Sequence, residues 1–263
     1  MILVFEYLCI GALAGLLAGL LGVGGAILVV PALLWIFSTQ VHFPADQIMH
    51  FVVGTSLAAT IATTLFSLRA QYRKGFVVWS LVVKLLPGII IGVILGTILA
   101  RLLDTHILRI LFGVFMILVA VQTFFKLRES VKPPGLPSLM NRGIATTTIG
   151  VFSGLLGISG GALTIPYLIY FKLPIRQAMG ASTACGVMIA LVGTISFILS
   201  GWSEGQAIPW CSGFVYWPAA LLIAAASPWF ATLGASLSHR LPVNALRKIF
   251  AGFLCLVGLN MLL

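Results

Sequence analysis

Two glycine-rich stretches hold the groups in this chain best suited to chemistry. The first is Gly15-Leu-Leu-Ala-Gly19-Leu-Leu-Gly22-Val-Gly24-Gly25-Ala26-Ile-Leu-Val-Val-Pro31. The second is Gly150-Val-Phe-Ser-Gly154-Leu-Leu-Gly157-Ile-Ser159-Gly160-Gly161-Ala-Leu-Thr-Ile-Pro166, and eight of the seventeen aligned positions are identical. Adjacent glycines lower helix propensity and let another group approach the backbone closely. A helix that restarts after such a break carries N–H groups without intrahelical partners at an end made positive by the macrodipole. An oxyanion satisfies those donors directly. The positions expected to do so are Gly24, Gly25 and Ala26 in the first copy, and Ser159, Gly160 and Gly161 in the second. Hydroxyls follow each copy, at Thr55 and Ser56 in Gly54-Thr-Ser-Leu-Ala58 and at Ser182 and Thr183 in Gly180-Ala-Ser-Thr-Ala184. They would be neutral donors beside the breaks. Such a site needs no buried arginine. The carbonyls near Leu21-Gly22 and Leu156-Gly157, which end the preceding half-helices, oppose part of the field. Gly11, Gly15 and Gly19, and likewise Gly150 and Gly154, also read as small-residue faces for close helix packing.

Other chemistries find little support. The acids are Glu6, Asp46, Asp104, Glu129 and Glu204, all at segment ends or in loops. A hydrolase would need such groups at depth, and cation or proton relays in membranes usually use them. The four histidines show no metal-ligand spacing, and Cys9, Cys185, Cys211 and Cys255 stand singly in apolar surroundings. No nucleotide-binding motif is present. The expectation is therefore no enzyme, no cofactor and no metal, with an anion as cargo. Cys185 and Cys211 read as structural, and Lys84 as a side chain that snorkels to the interface.

These residues sit in a chain that cannot cover itself against water. It has 263 residues, 60% hydrophobic and only 8% charged, with a mean hydropathy of +1.17; soluble domains carry about 25% charged residues. The net charge of +10 comes from Lys and Arg scattered between apolar runs, which argues for cytoplasmic loops and against a nucleic-acid face. Eight apolar segments run at 6–37, 47–68, 76–100, 106–125, 142–171, 177–201, 208–238 and 243–263. About 20 residues cross a bilayer as a helix. The first and fifth segments are too long for one simple span, and both contain a glycine break; each is expected to form two legs of roughly 12–16 residues. Tyr7, Trp35, Tyr72, Trp79, Tyr170, Trp202, Trp210 and Trp217 fall near segment ends, as interfacial anchors do.

The duplication extends further. Gly96 and Leu108-Arg109…Phe112 match Gly234 and Leu246-Arg247…Phe250. The chain divides into a first repeat (1–130), a cytoplasmic proline-rich linker (131–141) around Val131-Lys-Pro-Pro-Gly-Leu-Pro-Ser138, and a second repeat (142–263). Eight single crossings would place seven basic residues on each side. If the first and fifth segments fold back as hairpins, twelve lie inside and two outside, with Lys84 within a span. The positive-inside rule favours the hairpins. The expected fold is an all-α polytopic membrane protein of two inverted repeats, each a re-entrant broken hairpin plus three transmembrane helices, with both termini outside. Broken helices duplicated in inverted halves are the pattern of secondary transporter binding sites.

At Gly19-Leu-Leu-Gly-Val-Gly-Gly-Ala-Ile-Leu-Val-Val-Pro31, its echo, and the Gly54-Thr-Ser and Ala181-Ser-Thr stretches, the chain resembles the TauE/SafE sulfite-exporter family over nearly its whole length. Ser159 departs from the first copy, where Gly24 stands. The resemblance implies a multi-pass permease of the cell inner membrane for a small sulfur-containing anion: sulfite, thiosulfate or an organosulfonate. Export is the expected direction. Proton or ion coupling and a homo-oligomer are both compatible with the sequence. Two further readings are an uptake permease for an organosulfonate or carboxylated anion, and a membrane scaffold subunit with no transport of its own.

Overall fold

The computed structural model describes residues 2–21, 25–41, 43–124, 139–205, 208–237 and 243–262. In order these form α1 (Ile2–Leu21), α2 (Ala26–Ile36) continued by a π-helical turn at Phe37–Val41, α3 (Ile48–Arg73), α4 (Trp79–Leu102) and α5 (Thr105–Phe124). The second half has α6 (Leu139–Leu156), α7 (Gly161–Tyr170), α8 (Ile175–Ser200), a short α9 (Trp202–Gly205), β1 (Cys211–Ser212), β2 (Val215–Tyr216), α10 (Trp217–Leu237) and α11 (Val243–Leu262). Helix is the solution that lipid imposes on an apolar chain, because it satisfies every backbone group within the segment. Among the described residues, α1, α3, α4, α5, α8 and α10 are long and apolar enough to cross a membrane.

The two long segments both break at their glycines. In the first, α2 folds back along α1. A Cβ on Gly25 would lie 2.7 Å from the Ala14 carbonyl oxygen, and at the far end Gln40 Nε2 donates to both Glu6 carboxylate oxygens at 2.9 Å. The segment thus returns to the side from which it starts. In the second, α6 ends with Gly157 in the left-handed region (φ +71°), and Ile158 N–H donates to the Ser153 carbonyl at 3.0 Å. This is the glycine-terminated helix end known as a Schellman motif. Gly160, again left-handed (φ +74°), then opens α7.

The legs are less equal than the sequence suggested: α1 and α6 have 20 and 18 residues, α2 and α7 only 11 and 10. The reason lies in what the first legs pack against. Each runs beside a crossing helix of the other half, α1 with α10 and α6 with α4. Gly11 faces Ile223, Gly15 faces Ser227 and Gly234 faces Leu16; Gly88 faces Thr146, Gly92 faces Thr147 and Gly96 faces Val151. Both pairs are therefore parallel. A side chain at any of these glycines would collide with the facing helix, so the seams bring main chains close without interlocking side chains.

The remaining contacts also join early helices to late ones: α3 packs on α8, α5 on α11, α4 on α8 and α10 on α3. Helices α3 and α8, and α5 and α11, meet antiparallel. Gly54, Leu57 and Thr64 of α3 face Phe197, Gly193 and Gly186 of α8; Gly113 faces Gly258, and Arg109 Nη2 donates to the Asn260 carbonyl at 3.0 Å.

Three expectations need correction. The seventh segment is not one helix, although the fold as a whole is that of an all-α polytopic membrane protein. That segment opens with an antiparallel hairpin pairing Cys211 with Tyr216 and Ser212 with Val215, turned at Gly213 (φ +56°). Tyr7 is buried rather than an interfacial anchor, because it packs inward, within electrostatic reach of Tyr216 of the hairpin. Leu139 already begins α6, inside the range read as linker, while residues 131–138 lie outside the described ones.

Candidate anion site

The second break is wedged between two crossing helices. A Cβ on Gly157 would lie 3.1 Å from the Val53 Cα of α3, and a Cβ on Gly186 of α8 would lie 2.8 Å from the Ser159 carbonyl. Ser56, from the first half, donates to the Gly157 carbonyl at 3.2 Å. That bond occupies one of the carbonyls that end α6, whose negative pole opposes anion binding. Beyond Gly160 the intrahelical bonds begin at Leu163 N–H (3.1 Å) and Thr164 N–H (2.8 Å), both to the Gly160 carbonyl. The N–H groups of Gly161 and Ala162 come before the first intrahelical donor of their own helix. Gly160 has no side chain to cap them, and Ser159, Gly160, Gly161 and Ala162 are all buried.

The other candidate residues are distributed unequally. Gly25 and Ala26 begin α2 and are buried against α1; Gly24 lies outside the described residues. Gly25 has ordinary right-handed backbone angles, so its requirement for glycine comes from closeness to Ala14. Thr55 sits under the hairpin of the second half, where its Oγ1 accepts from Tyr216 N–H at 3.0 Å. Ser182 is buried on α8. Thr183 donates to the Gly180 carbonyl of its own helix at 2.9 Å. The structure thus gathers Ser56, Ser159, Gly160 and Gly161 around the second break, and gives Thr55 and Thr183 bonds elsewhere. Lys84 is exposed on α4, and Cys185 is fully buried in the core.

Two residues absent from the sequence reading belong to this place. Ser153 Oγ and Thr164 Oγ1 are buried and have no hydrogen-bond partner among the described residues. They lie 3.5 and 3.6 Å from the point where a Gly160 Cβ would be. Their signal was present in the repeat. Aligned copies put Ala18 opposite Ser153 and Val29 opposite Thr164, so a hydroxyl replaces an apolar side chain in the second copy alone.

The comparisons with known proteins bear on what such a fold does. The sequence profile described as sulfite exporter TauE/SafE matches residues 7–261. The chain belongs to the TauE/SafE family. It is similar to a protein of Haemophilus influenzae named "Probable membrane transporter protein", 34% identical over 98% of both chains. A Methanocaldococcus jannaschii protein of the same description is 28% identical over 97% of this chain and 93% of its own length. Bacillus subtilis YunE, again so described, is 25% identical over 96% and 95%. No solved structure matches. Family, relatives and apolar helices together make this TauE/SafE chain a multi-pass membrane transporter.

Proposed function

We propose that this TauE/SafE protein is a secondary transporter that carries a small sulfur-containing anion, such as sulfite, thiosulfate or an organosulfonate, outward across the cell inner membrane. The anion binds where the broken helices restart, and no catalytic group or cofactor takes part. The observation that carries this reading is the start of α7. It is a buried helix N-terminus held between α3 and α8, bracketed by left-handed Gly157 and Gly160, where an anion would meet unbonded N–H groups. Coupling to a proton or ion gradient supplies the driving force, because the chain has no nucleotide-binding motif.

The halves insert in opposite senses, with both termini outside. The helix directions support this: counterparts α3 and α8, and α5 and α11, run antiparallel, whereas α1 with α10 and α4 with α6 run parallel. Neighbours at the helix ends agree with it. Arg101 meets Glu204 at 3.9 Å and Thr105 donates to the Asp46 carbonyl at 2.6 Å, at ends assigned outside. The Arg176 guanidinium lies 5.5 Å from the centre of the Phe76 ring, at ends assigned inside.

The test is flux from liposomes containing the purified protein, loaded in turn with sulfite, thiosulfate, methanesulfonate and lactate, with and without an imposed pH gradient. Release of at least one sulfur anion well above protein-free liposomes is expected, with lactate retained. Protein-bearing liposomes that leak none of them faster than empty ones would remove the transport reading in favour of a scaffold.

A further inference from the structure

We infer that the two breaks have different jobs. The second alone holds the anion, in a cradle of the Ser153 and Thr164 hydroxyls and the first N–H groups of α7, and it takes a singly charged sulfonyl or sulfite oxyanion. The inference rests on the transport reading only in treating an anion as the cargo.

Three observations carry it. First, the two hydroxyls are buried to 0% and 1% exposure and lack partners among the described residues. A buried hydroxyl without a bond is costly, and two of them sharing one place call for a common acceptor. Second, that place is the start of α7, where the Gly161 and Ala162 N–H groups precede the first intrahelical donor, Leu163 N–H. Donors from a loop-to-helix junction and from two side chains thus lie around Gly160, as many as a three-oxygen anion can use. Third, the first copy has no equivalent, since Ala18 and Val29 occupy the matching positions and Val29 is buried in apolar core.

The charge of the ligand follows from its surroundings. Among the described residues, those placed against this break include Ser56, Val53, Gly186 and Ile189, all neutral. A helix N-terminus contributes about half an elementary charge. That offsets about half the charge of a monoanion but only about a quarter of that of a dianion, and uncompensated charge is costly in a buried site. The cradle is also closed as it stands, because a Cβ on Gly160 would fall on Cδ1 of Ile189. Ile189 is therefore the side chain that an anion at Gly160 has to displace, by turning to another staggered well.

Calorimetric titration of the purified full chain in detergent tests this, with sodium methanesulfonate as monoanion and sodium sulfate as dianion at matched ionic strength. Ser153→Ala and Thr164→Val should each weaken methanesulfonate binding about tenfold or more, since each removes a bond to a charged group. Neither should lower the melting temperature without anion, because the hydroxyl lost had no partner. Val29→Ala should bind as the wild type does. Ile189→Val, which deletes the blocking methyl, should bind at least as tightly. Wild-type affinity in both hydroxyl variants overturns the cradle and leaves the transport reading standing. Weaker binding by Ile189→Val overturns it too, and sulfate bound as tightly as methanesulfonate overturns the charge assignment. A wild type that neither binds methanesulfonate nor carries any anion in liposomes overturns both readings.

Discussion

At Thr55 a single hydroxyl joins the two halves. It lies on α3, yet its oxygen accepts from Tyr216 N–H in the hairpin before α10. Thr55→Val keeps the shape and leaves that buried N–H without a partner, which costs roughly 1–3 kcal/mol. The expected outcome is a lower melting temperature in detergent, with faster amide exchange confined to residues 211–216; Thr55→Ser should restore both. A threonine next to a glycine motif gave no hint of this bond, because its partner lies 161 positions away. Ser56 is the same kind of case: read as a donor to the anion, it donates to the Gly157 carbonyl. What the sequence does expose at this scale is difference between copies. Ser153 against Ala18 and Thr164 against Val29 are visible in an alignment, but only the fold-back after Gly157 shows that the two hydroxyls meet.

Elements were read best where backbone chemistry decides them. Glycines that disfavour helix and recur in both halves placed the two breaks, and the structure puts them at residues between Leu21 and Ala26 and between Leu156 and Gly161. Leg length depends instead on cross-half partners, which apolar composition does not encode. The hairpin at Cys211–Tyr216 was hidden because Trp210-Cys-Ser-Gly-Phe-Val-Tyr216 is as apolar as the helix it precedes; Gly213 at φ +56° was the available clue. The antiparallel contact of α5 and α11 gives a test at this scale. In a chain with its native cysteines replaced, Gly113→Cys with Gly258→Cys should form an oxidative cross-link between α5 and α11, seen by mass spectrometry after digestion. The pair Val114→Cys with Gly258→Cys should not, since Val114 is exposed on the other side of α5. Cross-linking of the second pair alone would mean that the helices meet on different faces.

For the whole molecule, the twelve-to-two division of basic residues and the helix directions lead to one measurable topology. Single cysteines at Gly75, Pro134, Leu173 and Leu241 should all be protected from an impermeant maleimide applied outside intact cells, while Trp202→Cys should label. Outside labelling of position 173 or 241 would rule out inverted halves. The pairing of α1 with α10 and of α4 with α6 also has a consequence for how the protein is made. The glycine face of α1 is synthesised well before α10, yet Gly15 finds Ser227 only when the seventh apolar segment has been translated, roughly 10–40 s later at ordinary elongation rates. Throughout that interval a groove of bare main chain stands open to lipid or to the insertion machinery. The nascent first half is an unfinished object that needs shelter, and the second half, once delivered, acts as its chaperone.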